Sequence, residues 1–103
     1  MSDPKYVTEF EDHAKRASVG LPESIVGNLP FGVDEELSVR RLDGGGIAVD
    51  VAPDRRDPSA VVRETGQGPR LYLDRMTVYD AGLLEGAVEL VAREDALHLT
   101  PVE

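Results

Sequence analysis

The stretch ASVGLPESIVGNLPFGVDEELSVRRLDGGGIAVDV, residues 17–51, decides the fold. Ala17 to Leu21 alternates, with Val19 and Leu21 on one face, which is the two-residue period of a half-buried strand. Pro22 suits the first position of a helix. Glu23-Ser24-Ile25-Val26 supplies about one turn before Gly27-Asn28 and Pro30 stop it. Glu36 to Arg41 reads as a second strand, with Leu37 and Val39 inward. Asp43-Gly44-Gly45-Gly46 tolerates positive φ at several positions and predicts a hairpin turn. Ile47, Val49 and Val51 give the returning strand its apolar face.

Working outward, the same order returns. Arg70-Leu71-Tyr72-Leu73 alternates as a strand, and Asp74 is placed to cap a short helix that starts at Arg75 and breaks near Gly82. Val88 to Ala92 is a strand, Arg93 to Ala96 a turn, and Leu97-His98-Leu99 the return. A shift of 52 positions carries Leu21 onto Leu73, Val26 onto Val78 and Val39 onto Val91. It also carries Val19 onto Leu71 and Phe31 onto Leu83. An internal duplication and one irregular β-rich domain both fit this pattern. Between the halves, residues 53–69 hold three prolines, two glycines and a charge cluster. They read as a linker in which Ala60-Val61-Val62 pairs briefly at most. Residues 1–14 form a polar, acidic N-terminal arm, read as a short docked helix or a frayed end. The expected organisation is therefore arm 1–14, first half 15–52, linker 53–69 and second half 70–103.

Composition narrows the function. The chain has 103 residues, 20 acidic against 11 basic, a net charge of −9 and no cysteine. This length allows one domain or two small repeats sharing a core. At 41% hydrophobic and 30% charged residues, the chain is too apolar to be wholly disordered. No apolar run approaches the ~20 residues of a membrane helix. The opening Met-Ser-Asp-Pro-Lys-Tyr lacks the pattern of a secretory signal, so a cytoplasmic location without membrane contact is expected. The absence of cysteine removes disulfides, thiolate metal sites and cysteine nucleophiles. Two lysines stand against nine arginines. An acidic surface in which arginine replaces lysine is typical of salt-loving archaea; an acidic protein from a GC-rich genome reads the same way. At molar salt the Debye length is only ~3 Å, so a negative total does not bar DNA.

Catalytic signals are sparse. His13 and His98 sit in no metal-ligand spacing, and no Gly-x-Ser-x-Gly elbow occurs. The Gly44–Gly46 run opens no helix and lacks nucleotide-loop spacing. Asp34-Glu35-Glu36 reads as a solvated acidic turn. No enzyme, metal or cofactor is expected. The basic residues are few enough for their placement to matter, above all Lys15-Arg16, Arg40-Arg41, Arg55-Arg56 and Arg70. If the halves pack about a twofold axis, Arg16 and Arg70 share a face and reach outward from strand ends. Arginine forks suit phosphate oxygens and guanine edges. The plainer alternative is that each pair balances neighbouring acids, as Asp54 and Asp57 flank Arg55-Arg56.

Val19-Gly20-Leu21-Pro22-Glu23-Ser24-Ile25-Val26, then Phe31 to Val39, then Gly46-Ile47-Ala48-Val49, resembles the AbrB/MazE/SpoVT family. Gly68 to Leu73, Gly86 to Val91 and Ala96 to Leu99 are similar in the second half. Together these segments span 15–51 and 68–101. The resemblance implies an α+β, β-rich fold, a swapped-hairpin β-barrel built here from two tandem half-barrel repeats. It also implies a DNA-binding transcriptional regulator or antitoxin, whose partners are double-stranded DNA, a toxin, or a second copy in a homodimer. Lys15, Arg16, Arg40, Arg41 and Arg70 would supply the DNA contacts. Arg70 holds the family's strand-start basic position, whereas Ser18 holds it in the first half. Pro22 keeps the apolar-Pro pair, whereas Asp74 replaces it in the second. Val26 and Val78 stand where the family carries a basic residue in the helical turn. A protein-interaction module that kept the barrel and lost its DNA face is the alternative.

Overall fold

A computed structural model describes residues 4–51 and 60–102. Arg55-Arg56 and the rest of 52–59 lie outside the described residues. The elements in chain order are β1 (Lys5–Thr8), β2 (Glu11–Asp12), β3 (Arg16–Gly20), α1 (Glu23–Val26), β4 (Leu37–Arg41) and β5 (Ile47–Val51). They continue with β6 (Ala60–Thr65), β7 (Gly68–Asp74), α2 (Arg75–Asp80), β8 (Val88–Ala92) and β9 (Leu97–Pro101). The strands form one antiparallel sheet in the order β1-β8-β9-β5-β4-β6-β7-β3-β2. Its first and last strands are separated in the chain by Glu9 and Phe10 alone, so the sheet curls and brings its two edges near one another. The result is β-rich and barrel-like.

Alternation fills the interior. Ala17 and Val19 of β3, Leu71 and Leu73 of β7, and Ala60 and Val62 of β6 are buried in one apolar cluster. Ile47 and Val49 of β5, Leu97 and Leu99 of β9, and Val88 and Leu90 of β8 complete it. Ile25 and Val78 plug it from the two helices. Each of the Val, Leu and Ile side chains among them contributes about 1.5–3 kcal/mol of burial. Asp74 caps α2 by accepting from the Thr77 N–H at 3.3 Å, whereas Pro22 precedes α1 with no side-chain cap. The glycine-rich turn closes β4 onto β5, Leu42 N–H donating to the Gly46 carbonyl at 3.1 Å. Gly46 has φ +94°, and a Cβ there would stand 2.4 Å from the Leu99 carbonyl oxygen. The turn therefore demands glycine for conformation and for space.

Two stretches depart from the sequence reading. The N-terminal arm is extended: β1 pairs with β8 and β2 with β3. Those two strands would otherwise present unpaired backbone groups, and pairing satisfies them. Residues 60–69, expected to be linker, make β6 and the start of β7. Ala60 and Val62 point inward, which satisfies the two-residue period, and Gly66-Gln67 turns the chain back. Thr65 Oγ1 donates to the Gly68 carbonyl at 2.7 Å and accepts from the Gln67 N–H at 3.1 Å. Gly68 itself takes φ +103°.

Candidate functional site

The outer face of β2-β3-β7-β6 is the counterpart of the core. Because Val19, Leu71 and Val62 point in, Arg16, Ser18 and Gly20 of β3 point out. So do Arg70, Tyr72 and Asp74 of β7 and Val61 and Arg63 of β6. The register sets Arg16 beside Asp74, Ser18 beside Tyr72 and Gly20 beside Arg70. It also sets Val61 beside Tyr72 and Arg63 beside Arg70.

A groove of about 520 Å³ opens on this face, with Tyr72 in its wall and Lys15, Arg16 and Arg63 around it. Asp34, Glu36 and Asp74 line it too. Lys15 and Arg16 are presented by the tight β2–β3 turn, where Ala14 has φ +72°. His13 N–H donates to the Arg16 carbonyl at 2.8 Å, closing that turn. Asp12 pins it by accepting from the Ala14 N–H at 3.1 Å and from Arg75 Nε at 2.9 and 3.0 Å. Arg75 N–H in turn donates to the Lys15 carbonyl at 3.2 Å. The Arg75 hydrogen bond holds the Asp12 carboxyl below the usual carboxylate range, and Asp12 raises the guanidinium of Arg75. Across the groove, Arg63 Nη1 donates to Asp34 Oδ1 at 2.6 Å. Asp34 has φ +68°, and its N–H donates to the Val62 carbonyl at 2.8 Å, so both its backbone and its side chain fasten it to β6. This ion pair is exposed, and such pairs contribute little to stability. No ion pair joins Lys15 or Arg16 to an acid among the described residues.

Arg70 corrects an expectation. It does not reach outward from a strand end: it is the third residue of β7, and its side chain is only 16% exposed. Its guanidinium lies over β3, with Nη1 3.4 Å from where a Gly20 Cβ would be. Nε and Nη2 donate to Ser18 Oγ at 3.2 and 3.0 Å. Glu11 Oε2 approaches Nη2 at 3.6 Å. Ser18 is fully buried, and His13 Nε2 lies 2.7 Å from the same hydroxyl oxygen.

The structure thus gathers Lys15, Arg16 and Arg70 on one face but not Arg40 and Arg41. Those two are exposed at the far end of β4, beyond the Leu37–Ala60 bridge that joins β4 to β6. Arg63, Tyr72 and His13 were not singled out from the sequence as site residues. Reading 60–65 as an alternating strand would have set Arg63 outward; nothing in the sequence places His13 against Ser18. Among the described residues no cluster of three or more His, Asp or Glu could hold a metal ion, and no helix is long and apolar enough to cross a membrane. No family model, curated protein or solved structure matches the chain.

Proposed function

We propose that the chain is a DNA-binding regulator whose contact face is the groove around Tyr72. The observation that carries this reading is the juxtaposition of Lys15 and Arg16 from the β2–β3 turn with Arg63 from β6, around one aromatic ring. Unpaired cations suit phosphate oxygens, and the paired arginines fix geometry for base edges. The proposal includes a tandem architecture in which 16–51 and 68–101 are two half-barrels that exchange hairpins. Two facts support it: Val19 stands directly opposite Leu71, its counterpart at the shift of 52, and β5 of the first half pairs with β9 of the second, Ile47 opposite Leu99.

A specific observation also favours the interaction-module reading. Asp34, Glu36 and Asp74 share the groove with the cations, and Arg63 already spends its charge on Asp34. A mixed-charge surface of this kind suits a protein partner as well as a phosphate backbone. Selection of duplexes from a random pool, followed by band-shift titration at several salt concentrations, separates the two. DNA binding predicts an enriched site and a log affinity that falls linearly with log salt. A pool that never enriches overturns the reading and leaves the protein partner in its place.

A further inference from the structure

The hydrogen bonds around Ser18 can be satisfied in only one protonation state. A serine hydroxyl has two acceptor lone pairs and one proton to give. Arg70 Nε and Nη2 both donate to Ser18 Oγ and occupy the lone pairs. The hydroxyl proton must then go to His13 Nε2 at 2.7 Å, which requires an imidazole unprotonated at that nitrogen. Ser18 is fully buried, so water cannot replace a lost partner.

Protonating His13 breaks this arrangement. Nε2–H becomes a donor aimed at an oxygen with no free lone pair, and the hydroxyl proton loses its acceptor. The new charge also faces the Arg70 guanidinium across Ser18. Glu11 Oε2 lies within reach of both cations, 3.8 Å from His13 Nε2 and 3.6 Å from Arg70 Nη2. An imidazolium therefore gains Glu11 at the expense of Arg70. Of the other groups facing His13, Asp12 is held by Arg75 but also attracts the imidazolium charge, which adds to the pull of Glu11, and Tyr72 offers its ring at a 6.3 Å centroid separation.

We propose that Ser18 and His13 are positioning residues that latch the Arg70 guanidinium onto β3, and that protonation of His13 opens the latch. Arg70 is then freed toward the outer face just as a second positive charge appears beside it. Protonation of His13 thus converts a self-paired arginine into one available to an anion such as a phosphate. The latch itself stands on the geometry of this chain; its use in gripping DNA rests on the reading proposed above.

The test follows the Arg70 Nε–H resonance of the whole ¹⁵N-labelled chain, without ligand, from pH about 8 to about 5, the range in which imidazoles titrate. Arg70→Lys assigns the signal. The expected result is a protected signal in mild base that is lost in step with the His13 ring resonances. In His13→Gln the amide oxygen still accepts from Ser18 and carries no titrating proton, so protection should persist throughout. In Ser18→Ala it should be absent at every pH. A wild-type signal indifferent to the His13 titration, or one lost equally in His13→Gln, overturns the latch. Short duplex DNA added at both ends of the range is a separate arm: a latch that opens while no DNA binds retains the latch and removes the DNA reading.

Discussion

Two grooves on the outer surface, related by a shift of 52 positions in the sequence, carry different balances of charge. The groove around Tyr72 is lined by Lys15, Arg16 and Arg63 together with Asp34, Glu36 and Asp74; the other, at the far end of β3 and β7, is lined by Glu9, Glu11, Gly20, Pro22, Gln67 and Arg70. The shift of 52 that carries Val19 onto Leu71 carries Lys15 onto Gln67, Glu11 onto Arg63, Gly20 onto Tyr72 and Pro22 onto Asp74. The strands and inward residues beneath the two are alike in kind, Val19 and Leu21 on one side and Leu71 and Leu73 on the other, all buried. One backbone arrangement thus supports a groove in which three cations stand among three acids around Tyr72, and a groove in which two glutamates face the self-paired Arg70. Interior packing constrains the inward residues of both halves equally, because they share one core, whereas the outward residues answer only to what they meet.

The largest expected effect tests that shared core. Leu71→Ala should cost about 2–5 kcal/mol and Val19→Ala somewhat less, since both delete fully buried methyls at the centre of the β3–β7 pairing. Urea unfolding should remain a single transition in both variants. Separate transitions for the two halves would break the comparison by showing two cores.

Next in size is the contrast within the glycine turn, which has no counterpart in the Arg93–Ala96 turn. Gly44→Ala meets only its positive φ, +86° with open space around it, and should cost about 1–2 kcal/mol. Gly46→Ala adds a backbone clash to a similar φ and should cost clearly more, or displace the hairpin from β9. Equal melting temperatures for the two variants would contradict the close approach of Gly46 to Leu99.

The two helix starts sharpen the comparison at a smaller scale. Asp74→Ala removes a side-chain cap and should cost about 1 kcal/mol, whereas Pro22→Ala removes none. Thermal melts of the pair should rank them in that order. Smaller still is the effect of pH at the β2–β3 turn. Asp12 is depressed chiefly by the Arg75 hydrogen bond, so its contribution is present above the unfolded value of about 3.9 and lost as pH falls through the lower folded value. In Arg75→Gln the Asp12 carboxylate should titrate nearer its ordinary range, as followed by NMR. An unchanged midpoint would show that the backbone bond from Ala14 holds it alone.

The fold was legible where periodicity and turn chemistry agreed. Val19 and Leu21, Leu37 and Val39, and the Gly44–Gly46 turn announce their elements, as does Asp74 before α2. The arm and β6 were obscured because prolines and charges surround them, and because strand pairing rather than local propensity makes them extended. Burial of Ala60 and Val62 decides the matter only once β7 is in place beside them. The site was half legible. Lys15 and Arg16 declare themselves by charge, but the tie between Arg70 and Ser18 spans 52 residues, and its partner His13 comes from a third strand edge. No local pattern encodes such a meeting.

Of the two grooves, only the one around Tyr72 is proposed as the binding face. That claim is tested most directly by the affinity of a selected duplex for Arg16→Ala/Arg63→Ala and Glu9→Ala/Glu11→Ala, each against wild type at matched salt. Loss of the two arginines should weaken binding by about 1–3 kcal/mol per base contact removed, while removing the glutamates should leave binding unchanged or tighter. An arginine double variant that binds as tightly as wild type would contradict the claim.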